Sequence, residues 1–126
     1  FLCGYEVATQ KKMPWLLSHV DREDNTYTFS LTIGHSGSNT PPFPIYAHTQ
    51  RMPQRRKNYP IPAWNETLEF INDIGDAILF KGRQHIHWRN RMPKHKNFKY
   101  YWTILFHYVP IEFDFVDFKQ RSQRNG

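Results

Sequence analysis

Apolar and β-branched residues in this chain recur with a period of two residues rather than 3.6. Residues 26–34, Thr-Tyr-Thr-Phe-Ser-Leu-Thr-Ile-Gly, alternate along much of their length, as expected for a strand with one face buried. Residues 101–109 form a second aromatic and β-branched run, which we predict to be the most buried strand. No segment has a convincing helical period, so the chain is predicted to be mostly β.

Shorter strands and loops complete this pattern. Gly, Ser, Asn and Pro dominate residues 35–42, which predicts a loop. Residues 50–62 are basic and interrupted by prolines, and we expect an exposed excursion that recognises substrate at the barrel mouth. The alternation of Phe and Asp in residues 113–118 predicts a closing segment that packs rings against the barrel. Further strands are expected at residues 43–48, 66–71 and 76–81.

Length and composition indicate one domain spanning residues 1–126. Ten Phe, seven Tyr and four Trp occur although apolar residues reach only 39%, so a few large rings are expected to carry the core. A single cysteine, Cys3, excludes an internal disulfide and favours a reducing compartment such as the cytoplasm. No apolar run is long enough to span a bilayer. Because residue 1 is Phe rather than Met, we expect a fragment of a longer chain.

The formal charge of +6 raises the question of a polyanionic partner. Most such charge serves solubility, and no nucleic-acid fold signature accompanies it, so nucleic-acid binding is possible but not favoured. The positive residues lie in two clusters: Arg51, Arg55, Arg56 and Lys57, and then Arg89, Arg91, Lys94, Lys96 and Lys99.

Three residues stand out as a possible metal site. His19 and Asp21 are two residues apart, so on an extended backbone both side chains reach one ion. His87 follows in a distant segment. Two imidazoles and one carboxylate on one face of an octahedron form the facial triad of non-haem Fe(II) oxygenases when they occur in a β-barrel.

The flanking residues resemble those of 2-oxoglutarate/Fe(II)-dependent dioxygenases of the prolyl 4-hydroxylase-like group. Residues 13–22, Met-Pro-Trp-Leu-Leu-Ser-His-Val-Asp-Arg, with the strand at 28–34, are similar to the family's His-x-Asp strand pair. Residues 75–89 resemble the family's run of Gly-Asp, an apolar strand, a Gly and then the distal His, which here is followed by Trp-Arg. Residues 103–109 resemble the strand that comes next in the family. Two departures are Gln84, where Glu is common, and a longer connection at 94–100.

The resemblance implies a double-stranded β-helix, a jelly-roll or cupin-like barrel, without the helical elements that precede its first strand in such domains. It implies that His19, Asp21 and His87 bind Fe(II), and that 2-oxoglutarate is the cosubstrate. The expected activity is hydroxylation of an unidentified substrate, a protein side chain or a small molecule.

The distal carboxylate of 2-oxoglutarate needs a cation inside the barrel, because a buried unpaired carboxylate is costly. Arg89 is the first choice, since it lies two residues after His87 and offers a planar two-donor fork. Lys99 is the second choice, and Tyr5 is expected to add a hydroxyl group. In the competing interpretation, Arg89 pairs with a surface acid.

Two other functions remain open from the sequence. The chain could be an inactive dioxygenase-like binding or structural module in a larger assembly. Alternatively, the cluster at Arg51–Lys57 with Tyr59 and Trp64 could mark a basic nucleic-acid-binding domain. Metal analysis tests the first alternative, and the salt dependence of nucleic-acid binding tests the second.

Overall fold

The computed structural model describes residues 2–7, 13–52 and 59–124, and in them the chain is mostly β. Eight strands form two four-stranded antiparallel sheets. A short 3-10 turn at Trp64–Glu66 precedes the fifth strand, and one α-helix, α1, follows the last. The strands are β1 Leu2–Glu6, β2 Leu16–His19, β3 Tyr27–His35, β4 Ile45–His48, β5 Thr67–Phe70, β6 Ala77–Phe80, β7 His87–Arg89 and β8 Tyr100–Tyr108, and the helix is α1 Phe115–Arg124.

Strand pairing is nested along the chain. β1 pairs with β8, β2 with β7, β3 with β6, and β4 with β5, all antiparallel. The first sheet has the order β1-β8-β3-β6 and the second sheet the order β2-β7-β4-β5. The chain is therefore folded like one long hairpin whose two arms pass together from sheet to sheet.

The inner face of the first sheet carries small hydroxyl side chains. Thr28, Ser30 and Thr32 of β3 are buried, and Thr103 of β8 is buried with them. Because side chains alternate along a strand, the larger apolar residues of β3 lie on the outer face, where Ile33 is partly exposed. The small inward residues leave space between the sheets.

Large rings fill the rest of the interior, as the composition predicted. One cluster contains Tyr5, Phe43, Met92, Phe98 and Tyr101. Phe43 meets the other three rings edge to face, with centroids of Tyr5 and Phe43 separated by 5.1 Å, an arrangement that aromatic pairs prefer. A second cluster is formed by Val20, Tyr59, Ile86 and Trp88.

Most predicted strands are confirmed, but two details of burial are wrong. β8 is not the most buried strand, because Phe106, His107 and Tyr108 at its end are exposed. Residues 50–62 are not uniformly exposed either, since Tyr59 packs in the core. Residues 53–58, with Arg55, Arg56 and Lys57, lie outside the described residues.

The closing segment is a helix rather than an extended segment. Asp114 caps it, since its Oδ1 accepts hydrogen bonds from the backbone N–H groups of Val116 and Asp117, each at 2.9 Å. None of the helical residues is buried, which is why the apolar period was weak. Among the described residues, no helix has the length and apolar character that crossing a bilayer requires.

Candidate metal centre

His19 and His87 are direct neighbours across two paired strands. His19 ends β2, His87 begins β7, and the two lie opposite each other in the antiparallel register. Residues opposed in this way hold their Cβ atoms about 4.5–5.5 Å apart. Their ring centroids are accordingly separated by 4.2 Å, so the sheet itself brings together two residues that are far apart in the chain.

A β-bulge turns His19 toward the interior. Leu16 pairs with Arg89 and His19 with His87, so β2 uses one more residue than β7 between these pairs. In a regular strand, Leu16 and His19 would face opposite sides because they are three apart. With the bulge, both line the same interior cavity, which is a frequent role for bulges beside functional sites.

Asp21 completes the cluster just beyond the end of β2. Its Oδ1 lies 3.3 Å from Nε2 of His19 and 3.5 Å from Nε2 of His87. One ligand atom from each of the three residues lies within 4.8 Å of the others. The three residues singled out in the sequence are therefore adjacent in the fold.

A backbone carbonyl two residues earlier in the chain orients each imidazole ring. Nδ1 of His19 lies 2.7 Å from the carbonyl oxygen of Leu17, and Nδ1 of His87 lies 3.0 Å from that of His85. A carbonyl can only accept, so Nδ1 carries the proton in each ring. Each ring then directs its Nε2 at Asp21, in the way that such backbone contacts orient metal-bound histidines.

Asp21 is held by its surroundings in the ionised form. Its Oδ2 accepts a hydrogen bond of 2.8 Å from Thr28, whose Oγ1 lies 3.2 Å from Nδ1 of His107. Burial raises the pKa of the Asp21 carboxyl, but hydrogen bonds from His19, His87 and Thr28 outweigh it and lower the pKa well below its usual range. Oδ1 remains directed at the two imidazoles.

The arrangement favours a cation at its centre. Nε2 of His19, Nε2 of His87 and Oδ1 of the ionised Asp21 converge on one place. When Nε2 carries no proton, all three atoms are acceptors. Such a cluster is stabilised by protonation of the rings or by a shared metal ion. Imidazole and carboxylate suit divalent transition metals, and three ligands on one side leave the opposite positions open.

Gly82 sets the space available to Asp21. The backbone N–H of Asp21 donates to the Gly82 carbonyl at 2.8 Å. A Cβ at position 82 would lie 2.0 Å from Oδ2 of Asp21 and 2.6 Å from Oγ1 of Thr28. No side chain fits there without moving the carboxylate.

We therefore expect Gly82→Ala to weaken metal binding by roughly 10–100-fold, the range found when the groups that orient metal ligands are disturbed. Anaerobic titration with Fe(II), followed by calorimetry, measures this effect. Gly34→Ala is the matched control, because its Cβ would meet nothing closer than 4.0 Å. Equal affinities in the two variants would show that Gly82 does not constrain Asp21.

A cavity of about 150 Å³ adjoins the three residues. Tyr5 and Arg89 reach it from β1 and β7, and Lys99 is not among its lining residues. The described residues that line it are Cys3, Tyr5, Leu16, His19, Asp21, Thr28, Ser30, Ile45, Phe80, His87, Arg89, Thr103, Leu105 and His107.

Arg89 is a buried cation without a carboxylate partner. It is 2% exposed, and its Nη1 donates to the backbone carbonyl of Phe43. The guanidinium lies 5.0–5.4 Å from the ring centroids of Phe43, Tyr101 and Tyr5. Among the described residues, no acid forms a salt bridge with it, so the surface-acid interpretation is wrong.

Other polar residues divide between the site and its surroundings. His85 donates through Nδ1 to the His48 carbonyl at 3.0 Å and lies outside the cluster, while Lys99 is exposed. Thr28 and Gly82 were not anticipated, although the position of Gly82 five residues before His87 was a usable signal. His107 reaches the site from β8, where its Nδ1 lies 3.2 Å from Oγ1 of Thr28.

Comparisons with known proteins found no relative of this chain. No family model, no curated protein and no solved structure matches the chain. The geometry described above, together with the sequence motifs, is therefore the basis on which a function is assigned.

Proposed function

We propose that this chain is a non-haem Fe(II)/2-oxoglutarate-dependent oxygenase built on a double-stranded β-helix. The observation that carries the proposal is one cavity bordered by two kinds of group. At one place His19, Asp21 and His87 present three metal ligands, and at another Arg89 presents a buried positive charge without an acidic partner among the described residues.

The nested strand pairing supports the fold assignment. Eight antiparallel strands in two sheets are typical of jelly rolls. The pairs β1·β8, β2·β7, β3·β6 and β4·β5 are those expected when one long hairpin is rolled into two layers. The interior of such a barrel accommodates a small ligand.

The ligand set supports Fe(II). Two imidazoles and one carboxylate with open positions suit non-haem ferrous sites, whereas structural zinc sites are usually closed by four protein ligands. When bound, Fe(II) would supply the chemistry by which one O₂ oxidises two molecules: 2-oxoglutarate is converted to succinate and CO₂, and a substrate C–H bond is hydroxylated.

Arg89 fits the role of holding 2-oxoglutarate. Its guanidinium offers two parallel N–H donors to a carboxylate. Hydrogen bonds to this buried cation would offset the free energy that the carboxylate loses on leaving water. Tyr5 is buried beside it. Burial raises the pKa of the Tyr5 hydroxyl well above its usual range, so the phenol stays protonated and can donate to the same carboxylate.

Other residues around the cavity position the reactants. His107 and Thr28 form a hydrogen-bonded chain that ends on Oδ2 of Asp21, which leaves Oδ1 for the metal. The rings beside Arg89 exclude water from the carboxylate pocket. A reducing compartment such as the cytoplasm would preserve both Fe(II) and the free thiol of Cys3.

The proposal is tested by succinate formation without added substrate. Such oxygenases would be expected to turn over 2-oxoglutarate slowly in an uncoupled reaction. We expect succinate to accumulate when the chain is incubated with Fe(II), 2-oxoglutarate and O₂, and not when Zn(II) replaces Fe(II). Succinate is measured by mass spectrometry.

Binding measurements separate the active enzyme from an inactive module. Anaerobic calorimetry should detect Fe(II) binding first and 2-oxoglutarate binding to the metal-loaded chain second. If Fe(II) binds but 2-oxoglutarate neither binds nor is converted, the chain is a metal-binding module and the proposal is refuted.

A further inference from the structure

We propose that an open pocket beside the metal centre binds an acidic peptide segment through its carboxylate side chains. The pocket has a volume of about 440 Å³ and is lined by Arg51, Met52, Arg83 and Gln84. That this peptide belongs to the substrate depends on the proposed oxygenase function, whereas the binding of an acidic peptide does not.

The loop between β6 and β7 links the pocket to the metal centre. Gly82 packs directly against Asp21, and Arg83 follows it at a Cα spacing of about 3.8 Å. The loop is fastened on its other side, because the backbone N–H of Met52 donates to the Gln84 carbonyl at 2.6 Å. A segment held by Arg83 therefore lies close to the metal ligands.

Within the described part of the chain, both guanidinium groups are without a partner and can bind a ligand. Neither Arg51 nor Arg83 forms a hydrogen bond through its side chain or an ion pair with any described residue. By contrast, Arg22 is paired with Asp24. Each free guanidinium offers five N–H donors in a planar fork that matches a carboxylate.

The chemistry of the pocket favours a peptide over a nucleic acid. Binding of single-stranded nucleic acid relies on aromatic rings that stack on the bases, and none of the four described lining residues is aromatic. The two cations among these described residues also neutralise few phosphates. Met52 adds a flexible apolar contact suited to a peptide chain, and Gln84 adds an amide that can pair with its backbone.

The test is fluorescence anisotropy with a fluorescein-labelled hexaglutamate peptide. The double variant Arg51→Ala/Arg83→Ala should raise the Kd for the peptide by at least about ten-fold, which corresponds to about 1.4 kcal/mol. Lys94→Ala/Lys96→Ala is the matched control, because it removes the same charge from exposed lysines that do not line the pocket. The control should change the Kd by less than about two-fold, since the two lysines do not line the pocket and salt screens exposed charges.

Three outcomes would overturn the inference. They are no binding of the peptide by the unmodified chain, equal weakening in both double variants, or tighter binding of a labelled thymidine hexanucleotide that depends on Arg51 and Arg83. If circular dichroism shows that the alanine variant is unfolded, Arg51→Gln/Arg83→Gln replaces it with side chains of similar polarity.

The same proteins distinguish this inference from the proposed function. Uncoupled succinate formation should persist in Arg51→Ala/Arg83→Ala, because neither residue borders the metal cavity. Peptide binding without any succinate formation by the unmodified chain would refute the oxygenase and leave the peptide site standing.

Discussion

Replacing Asp21 or His87 by alanine is expected to weaken Fe(II) binding by more than about 100-fold and to eliminate succinate formation. Each residue contributes one of three converging ligand atoms, and disturbing a group that merely orients a ligand already costs roughly 10–100-fold. Anaerobic calorimetry with Fe(II) measures the affinity. Visible absorption of the Co(II)-loaded chain reports independently on whether the coordination is altered.

His85→Ala is the control for His87→Ala. The two histidines are close in sequence, but His85 bonds to the His48 carbonyl and does not join the cluster. We expect the His85 variant to retain Fe(II) affinity within about three-fold, as for a change outside the ligand set. The opposite result, with metal binding lost in His85→Ala and kept in His87→Ala, would show that the triad is wrongly assigned.

Arg89→Ala should abolish tight binding of 2-oxoglutarate while leaving Fe(II) affinity nearly unchanged. Removing one partner of a buried, hydrogen-bonded charge pair costs on the order of 2–5 kcal/mol. This corresponds to a rise in Kd of roughly thirty-fold to several thousand-fold. The measurement is a titration of the metal-loaded variant with 2-oxoglutarate under anaerobic conditions, after a separate titration with Fe(II).

Companion variants separate the charge of Arg89 from its packing. Arg89→Lys keeps the charge without the planar fork and should restore only part of the affinity. Arg89→Gln fills more of the space than alanine and serves if Arg89→Ala does not fold, since the side chain lies among three rings. Lys99→Ala should be neutral, and a loss of 2-oxoglutarate binding in that variant alone would move the role to Lys99.

Local patterns were sufficient to predict most strands, but not their partners. The alternation in residues 26–34 identifies β3, and the aromatic run at 101–109 identifies β8. Alternation alone does not reveal which face is buried, and in β3 the hydroxyl side chains Thr28, Ser30 and Thr32 point inward. The sequence of β1 has no comparable alternation, so the strand could not be predicted from its own residues. β1 is held in the sheet by pairing with β8. The helix α1 was missed because it buries no residue.

The three candidate metal ligands could be predicted further than the groups around them. Spacing and the resemblance of the flanking residues suffice to select His19, Asp21 and His87. The bulge in β2 and the Thr28–Asp21 hydrogen bond depend on cross-strand register, which single-sequence patterns do not specify. Arg89 lines the same cavity as His87, as expected for residues two apart on β7, and its role in binding a cosubstrate stays a prediction.

Because the strand pairing is nested, we expect the cluster of His19, Asp21 and His87 to form late in folding. β4 and β5 are the innermost pair, whereas β1 meets β8 only when the two ends of the chain come together. Closing such long loops is entropically costly, and folds dominated by distant contacts assemble slowly. His19 and His87 become neighbours only when β2 pairs with β7. A metal ion that binds only this completed pair would stabilise the native state. The free energy of unfolding would then rise with the logarithm of the metal concentration.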